Sequence, residues 1–107
     1  MNYKVELTAN FKKEAKKLIK KYASLSAELE QLGNELAQNP TMGTPLGNNT
    51  YKIRIAIASK GKGKSGGARI ISFFQIIEQT VYLVSIYSKG NMDNINDKEI
   101  QRLLKGS

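Results

Sequence analysis

The apolar residues of this chain change their spacing near residue 40, and that change limits the folds that the chain can adopt. Before this point, apart from a short N-terminal segment where apolar and charged residues alternate, they recur every three or four residues, as on the buried face of an amphipathic helix. After it they alternate or run continuously through β-branched and aromatic residues, which is typical of strands. The order predicts helices first and a sheet second, and therefore an α+β domain.

The helical part consists of two segments, separated near Ser24, and each has a row of apolar residues that we call a seam. The first seam lies in "FKKEAKKLIKKY", residues 11–22, with Thr8 or Asn10 as its N-cap, and Ser24 or Ser26 can cap the second. The apolar members of the second seam are Leu25, Leu29, Leu32 and Leu36. We expect the two segments to form a helical hairpin. The lysines on its outer face are diluted by glutamates and are interpreted as a solvated surface.

Four strand-like segments complete the sheet. A short one lies in "NYKVEL", residues 2–7, where apolar and charged residues alternate. The other three cover residues 51–59, 68–77 and 80–88. They follow a Pro-, Gly- and Asn-rich stretch, residues 39–50, that is expected to be a loop. Glu78 and Gln79 can form a tight connection between the last two strands, so three consecutive antiparallel strands are expected.

The last segment, "INDKEIQRLLKG", predicts a short C-terminal helix. Asn96 as N-cap with Glu99 three residues later resembles a capping box, and Gly106 can end the helix. The length of 107 residues suits one domain, residues 1–107, with a modest core. The expected fold is a small, mainly antiparallel sheet with an N-terminal helical hairpin and a short C-terminal helix, in the order β-α-α-β-β-β-α.

The residue types that are missing restrict the chemistry. The chain has no Cys and no His, which excludes disulfides, thiolate nucleophiles, the commonest metal ligands and the commonest general base. Any catalysis must use Lys, Arg, Tyr, Asp or Glu. No apolar run approaches the roughly 18 residues of a membrane span, and the N-terminus does not resemble a signal peptide. We therefore expect a cytoplasmic protein without a membrane partner.

Positive charge is concentrated in the middle of the chain. Residues 36–77 contribute +6 to the net charge of +8, because they hold six cations and no acid. The six are Lys52, Arg54, Lys60, Lys62, Lys64 and Arg69. A block of one sign attracts anions and indicates nucleic acid as a partner, although an anionic protein or membrane surface would feel the same field.

Three of these lysines lie in the Gly-rich stretch "SKGKGKSGGAR", residues 59–69, which is expected to join two antiparallel strands as a long hairpin loop. Its "GKS" is not a P-loop, because Ala58 stands where that motif needs a Gly and a strand follows where it needs a helix. One interpretation is a solubilising loop tip. The other is an anion site, since cations from several chain segments can converge at one end of the sheet. These are Lys52, Arg54, Arg69 and Lys89.

An anion site of this kind suits a phosphodiester whose charge grows in the transition state, because Arg and Lys donors stabilise that charge. In RNA the ribose 2′-hydroxyl can attack the adjacent phosphorus while a base takes its proton and an acid assists the leaving 5′-oxygen. A crowded lysine can act as the base, since neighbouring cations favour its neutral form. RNA cleavage is therefore compatible with a chain that lacks histidine.

Two long stretches and the helical hairpin carry a family resemblance. The stretches are "GTPLGNNTYKIRIAIASKGKGKSGGARIISFF" and "VYLVSIYSKGNMDNINDKEI", and the hairpin is "FKKEAKKLIKKYASLSAELEQL". They resemble the RelE/ParE superfamily of toxins from bacterial type II toxin-antitoxin modules, most of all its RelE and HigB-like branch. The resemblance implies an mRNA interferase that cuts messenger RNA in the ribosomal A site. It also implies that no metal or cofactor is required and that a cognate antitoxin neutralises the toxin by wrapping its surface.

The resemblance assigns a role to individual residues by position. Lys52 and Arg54 match the paired basic residues of the family's second strand, and Arg69 matches the arginine of the next strand, which stabilises the phosphate. Lys89 matches the basic residue after the last strand, where many relatives have Arg. The implied RNA-binding residues are Lys60, Lys62, Lys64 and Tyr87, the last as a base-stacking platform for which ordinary sheet packing is the alternative. RelE has a tyrosine near its C-terminus with a catalytic part, but no tyrosine follows Tyr87 here, so the general base stays unassigned.

Two other functions remain open at this level. A gyrase inhibitor like ParE shares the fold but acts on a complex of protein and DNA, and the basic loop argues against it. A non-catalytic nucleic-acid-binding module would use the same lysines for salt-sensitive phosphate contacts. Cleavage of RNA separates the first function from both alternatives.

Overall fold

The computed structural model describes residues 3–60 and 66–88, apart from the side chain of Lys60. The predicted C-terminal helix, with Asn96, Glu99 and Gly106, lies outside the described residues. No helix in the described part of the chain is long and apolar enough to cross a membrane.

Two helices form the predicted hairpin. Helix α1 covers Ala9–Lys21 and α2 covers Leu25–Gln38. The hydroxyl of Thr8, one of the two caps expected from the sequence, caps α1 by accepting a hydrogen bond from the backbone N–H of Phe11 at 3.2 Å. Ser24 occupies the N-cap position of α2 but makes no capping hydrogen bond; its hydroxyl accepts from the backbone N–H of Ser59 at 3.0 Å and donates to the carboxylate of Glu28 at 3.1 Å. The expected serine cap is therefore correct in position and wrong in its contact.

Five strands form a single mixed sheet. They are β1 (Lys4–Leu7), β2 (Thr44–Gly47), β3 (Thr50–Ile55), β4 (Ala68–Gln75) and β5 (Thr80–Ser88). Their order across the sheet is β1-β5-β4-β3-β2, with β1 parallel to β5 and every other pair antiparallel. The three consecutive antiparallel strands and the α+β class are confirmed.

Strand β2 lies inside the segment that was expected to be a loop. It pairs with β3 through a turn at Asn48 and Asn49, whose φ angles of 52° and 61° are both positive. Two residues with positive φ are what a tight hairpin turn requires, and asparagine tolerates them. Pro45 is accommodated because β2 is an edge strand. The Pro-, Gly- and Asn-rich composition thus marks a short edge hairpin as well as a loop.

The strands on either side of the basic loop are shorter than predicted. Strand β3 ends at Ile55 and is followed by a 3₁₀ turn at Ala58–Lys60, whereas the sequence predicted a strand to residue 59. Strand β4 ends at Gln75, and the next four residues form the turn to β5. Ile76 and Ile77 lie in that turn and are 57% and 92% exposed, so extending the strand through them was wrong.

Apolar side chains pack on both faces of the sheet. The main core lies between the sheet and the two helices, with Phe11, Leu25, Leu32, Leu36, Ile53, Ile57, Ile70, Val81, Leu83 and Ile86 among its buried members. The opposite face, which we call the open face because neither α1 nor α2 lies on it, has a smaller cluster of Ile71, Val84 and Tyr87, bordered by Leu46, Phe73 and Tyr82. Helices α1 and α2 therefore cover one face, as predicted, and the other face carries the residues described next.

Candidate functional site

Three predicted site residues form a row across the open face. Arg54 on β3 pairs directly with Arg69 on β4, and Arg69 pairs directly with Tyr87 on β5. Residues paired in this way carry their side chains on the same face, with Cβ atoms about 4.5–5.5 Å apart. Lys52 precedes Arg54 by two positions and so belongs to the same face, opposite Ile71. The sheet thus brings together four residues from three strands.

Arg69 is the central member of the row and is nearly buried. Its residue surface is only 5% exposed, and its guanidinium donates to the backbone carbonyl of Ala68 at 3.3 Å. Arg54, its neighbour, is exposed. The Arg69 guanidinium is therefore held by its surroundings, and a fixed donor stabilises developing charge without reorganisation.

Tyr87 is buried beside Arg69, with 5% of its surface exposed. Its phenol oxygen has no hydrogen-bond partner among residues 3–60 and 66–88. Burial raises the pKa of Tyr87, and the nearby Arg69 charge opposes this rise. At neutral pH the phenol is consequently protonated, and its ring packs against the sheet cluster rather than lying open to solvent.

The remaining predicted residues are only partly covered by the structure. The backbone of Lys60 ends the 3₁₀ turn that follows β3, which places it at the same end of the sheet as Arg54 and Arg69. Lys62, Lys64 and Lys89 lie outside the described residues. The geometry therefore bears on four of the eight predicted side chains.

A bulge in β5 lies next to the row. Ile71 pairs with Ser85 and Ser72 pairs with Leu83, so Val84 is an additional residue on β5. A bulge of this kind changes the direction of the side chains that follow it and is common beside functional sites. Here it precedes Tyr87 by three residues and sets the position of Tyr87 relative to Arg69.

Helix α1 holds this bulge in place through one carboxylate oxygen. Glu14 Oε1 accepts hydrogen bonds from the side chain of Asn10 at 2.8 Å, the hydroxyl of Ser85 at 2.8 Å and the backbone N–H of Ile86 at 3.2 Å. Asn10 also donates to the carbonyl of Val84 at 3.0 Å. The first turns of α1 thus fix the backbone of β5 behind the arginine row.

A comparison with protein families decides the relationship of the chain. A model described as the RelE toxin of the RelE/RelB toxin-antitoxin system matches residues 3–107. The chain belongs to the RelE toxin family. The match includes the two helices and five strands of the described part of the chain, and the sequence of the basic loop.

Solved RelE structures have the same fold as this RelE-family toxin. A mutant of the Escherichia coli toxin RelE in the free state has a TM-score of 0.67 and 17% identity, over 98% of this chain and 97% of that one. The toxin-antitoxin complex RelBE2 of Mycobacterium tuberculosis gives a TM-score of 0.64 and 18% identity, over 83% of this chain and 100% of the matched one. Isolated E. coli RelE gives a TM-score of 0.62 and 15% identity, over 96% of this chain and 97% of that one. At these identities the likeness concerns the fold.

Sequence reasoning on this RelE-family toxin missed the part played by Glu14. It treated the glutamates of the helical hairpin as charges that dilute a lysine face. The spacing of Asn10 and Glu14 by four residues was a local sign that the two side chains meet on one side of the helix. Their contact with Ser85 and Ile86 depends on how α1 packs on the sheet, which no local pattern contains.

The other end of the open face in this toxin carries two acids, Glu6 and Glu78, and one cation, Lys4, whose amine lies 3.4 Å from the Glu6 carboxylate. The hydroxyl of Tyr82 donates to the Glu78 carboxylate at 2.6 Å, and Glu6 on β1 pairs directly with Tyr82. The hydrogen bond to Glu78 is the main cause of a raised pKa for Tyr82, with further contributions from desolvation and the charges of Glu78 and Glu6. The open face therefore changes sign along its length, from the arginine row to the turn between β4 and β5.

Proposed function

We propose that this RelE-family toxin is a ribosome-dependent mRNA endoribonuclease that inhibits translation. RelE-family toxins are generally endoribonucleases, and the arrangement of cations in this chain suits that reaction. The observation that carries the proposal is the direct pairing of Arg54 with Arg69 on neighbouring strands. Two like charges placed opposite each other are unfavourable in the free protein, and a phosphate bound between them offsets that cost.

The proposed reaction breaks the RNA backbone without a cofactor. The ribose 2′-oxygen forms a bond to the adjacent phosphorus, the bond from phosphorus to the 5′-oxygen breaks, and a cyclic phosphate and a 5′-hydroxyl result. A base takes the 2′-hydroxyl proton and an acid gives one to the 5′-oxygen. Arg69 stabilises the additional negative charge on the phosphate oxygens, since its guanidinium is already held in place.

The other cations have supporting roles in this proposal. Lys52, Arg54 and Lys89 complete the group around the scissile phosphate. Lys60, Lys62 and Lys64 in the loop bind flanking phosphates, which makes association depend on salt. Base stacking by Tyr87 requires its buried ring to become exposed when RNA binds. The identity of the general base is left open.

A cognate antitoxin completes the proposed module. The fold likeness to the toxin of the M. tuberculosis RelBE2 toxin-antitoxin complex supports a partner of this kind. An acidic protein surface is suited to mask a segment of six cations and no acid. We expect its association with the toxin to slow as ionic strength rises.

The test is to add the purified toxin to a defined mRNA in a translating bacterial extract and to map new 5′ ends. Cuts in register with codons are expected only when ribosomes are present. Arg69→Lys and Arg54→Ala should each reduce cutting strongly, while Lys13→Ala on the outer side of α1 should not. Binding of mRNA without new ends would favour the non-catalytic module, and DNA breaks that depend on gyrase would favour the ParE-like function.

A further inference from the structure

Hydrogen bonds join the start of helix α2 to the beginning of the basic loop. On α2 the partners are Ser24 and Glu28, and in the 3₁₀ turn after β3 they are Ala58 and Ser59. The partners are 30 or 35 positions apart in the sequence. Ala58 and Ser59 are exposed, so hydrogen bonds rather than burial hold these two residues. We call this cluster the α2–loop junction.

The Glu28 carboxylate determines how the junction is hydrogen-bonded. Its Oε2 accepts from the backbone N–H of Ala58 at 2.7 Å, and its Oε1 accepts from the Ser24 hydroxyl at 3.1 Å. Since a hydroxyl has one hydrogen to donate, the Ser59 hydroxyl is then the donor in its 2.9 Å contact with Ser24 Oγ. The backbone N–H groups of Ser59 and Ser24 each donate to the other residue's hydroxyl oxygen, at 3.0 and 3.3 Å. Each donor of the junction therefore has an acceptor.

The chain is also held where it returns from the basic loop. Gly67 packs so closely on the last residue of β3, Ile55, that an added Cβ atom would collide with the Ile55 carbonyl oxygen. At the outgoing end, the 3₁₀ turn fixed by the junction includes the backbone of Lys60. The position at which the first lysine of the loop leaves the sheet is therefore set by contacts with α2.

A carboxylate at this place is unfavourable for RNA binding on grounds of charge. Glu28 repels phosphates, so its removal should strengthen binding if charge were its only effect. Its hydrogen bonds act in the opposite direction, because a segment that is already ordered loses less conformational freedom when it binds. The sign of the change in affinity therefore shows which effect is larger.

We propose that Ser24 and Glu28 are positioning residues for RNA binding. They hold the backbone of the 3₁₀ turn that carries Lys60, and they thereby favour contact of this lysine with the phosphates of a single-stranded RNA. Glu28 acts through the Ala58 N–H, and Ser24 acts through Ser59, so neither residue has to touch the RNA. The inference rests on the proposed function for its RNA ligand, and it gives the first turn of α2 a part in binding that ligand.

The experiment measures binding of a short fluorescein-labelled single-stranded RNA to the purified full-length protein, by anisotropy at low ionic strength and without ribosomes. Glu28→Ala should weaken binding about three- to tenfold, although it removes a negative charge. Glu28→Gln removes the same charge but keeps an oxygen that accepts from the Ala58 N–H and an amide that donates to Ser24 Oγ. It should therefore bind at least as tightly as wild type. Glu30→Ala changes the net charge equally at an exposed residue of α2 and should not weaken binding.

Further variants separate positioning from a general loss of stability. Ser24→Ala should also weaken binding, whereas Ser26→Ala at an exposed residue of α2 should not. In a protein with the three loop lysines replaced by alanine, Glu28→Ala should cause no additional loss, because the groups that it positions are gone. The replaced residues are Lys60, Lys62 and Lys64. Amide hydrogen exchange at Ala58 should be faster in Glu28→Ala than in Glu28→Gln, which tests the junction directly.

Three results would overturn the proposal. One is RNA binding by Glu28→Ala that equals or exceeds that of wild type, because the charge of Glu28 would then outweigh its hydrogen bonds. Another is an equal loss with and without the loop lysines, which indicates general destabilisation. The third is a wild-type protein that does not bind the free RNA. Cleavage of mRNA is not a readout here, so failure of this proposal is distinct from failure of the proposed endoribonuclease.

Discussion

Arg54 and Arg69 stand directly opposite each other on β3 and β4, one exposed and the other nearly buried. Like charges in this relationship repel, so the sheet would be more stable with a neutral residue at one of the two positions. A bound phosphate makes the arginine pair favourable, because two guanidinium groups then share one anion. A neutral residue at one of the two positions therefore favours folding of the free protein, whereas two arginines favour anion binding.

Arg54→Thr should separate these two effects. At low ionic strength the free energy of unfolding should rise by up to about 1 kcal/mol, because the like-charge pair is removed and threonine is favourable in strands. RNA cleavage should fall by about tenfold or more, since one phosphate donor is lost. Urea unfolding and the mapping of 5′ ends measure the two effects. Lys13→Thr should neither raise the free energy of unfolding nor reduce RNA cleavage. A loss of stability in Arg54→Thr would contradict the argument that the two arginines repel each other.

Glu14→Ala should destabilise the protein more than Glu14→Gln. Three donors converge on Glu14 Oε1, and a glutamine carbonyl oxygen can still accept from them. Alanine leaves the Ile86 N–H and the Ser85 hydroxyl without this acceptor, which costs about 1–3 kcal/mol. Urea unfolding measures the difference. Equal losses for the two variants would show that the carboxylate charge matters more than the position of its oxygen.

Tyr87→Phe should leave stability at pH 7 unchanged or slightly higher, because the phenol oxygen has no hydrogen-bond partner in the described part of the chain. Its effect should appear at alkaline pH. Since burial raises the pKa of Tyr87 above its ordinary value of 10.0, the neutral phenol favours the folded state, and this contribution is complete below pH 10.0. It is lost as pH rises through the folded pKa.

The thermal stability of wild type should consequently fall more steeply above pH 10.0 than that of Tyr87→Phe. The quantity to follow is the difference in thermal stability between wild type and Tyr87→Phe, because lysines also titrate in this pH range and do so in both proteins. Tyr82→Phe serves as a second reference, since Tyr82 also has a raised pKa but lies at the other end of β5. Parallel curves for wild type and Tyr87→Phe would contradict the burial argument.

Gly67→Ala and Gly33→Ala should have opposite effects. A Cβ atom at Gly67 would collide with the backbone carbonyl of Ile55, where the chain returns from the basic loop to β4. We expect a loss of about 1–3 kcal/mol, as for other overpacked sites. At Gly33 the added methyl group enters open space in a helix, so stability should increase by about 0.5–1 kcal/mol. Thermal melts of the two variants show whether Gly67→Ala lowers the stability and Gly33→Ala raises it.

The fold was predictable from the sequence where periodicity is strong. Both helices and the three central strands follow from the spacing of apolar residues, which burial imposes directly. Strand β2 has only four residues at the sheet edge and is held by pairing with β3, so its composition resembled a loop. Ile76 and Ile77 continued an apolar run but lie exposed in a turn, and nothing in the run itself marks where the strand stops.

The candidate site was predictable in its charges but not in its geometry. The acid-free block identified Lys52, Arg54 and Arg69 as a group, because charge is visible in the sequence. Which cations face each other depends on strand register, and a shift of one residue would move Arg54 to the opposite face. The burial of Arg69 and the hydrogen bonds of Glu14 depend on packing between distant segments, which no single stretch of sequence contains.

The change of sign along the described part of the open face gives that face an electric dipole in addition to the net positive charge of the chain. Lys52, Arg54 and Arg69 lie toward one end of the face, and Glu6 and Glu78 lie at the other. In the field of a polyanion such a molecule experiences a torque in addition to attraction, and it turns its arginine end forward before contact. The fraction of collisions that begin in a productive orientation is thereby raised, and this benefit disappears at ionic strengths where the Debye length is shorter than the sheet.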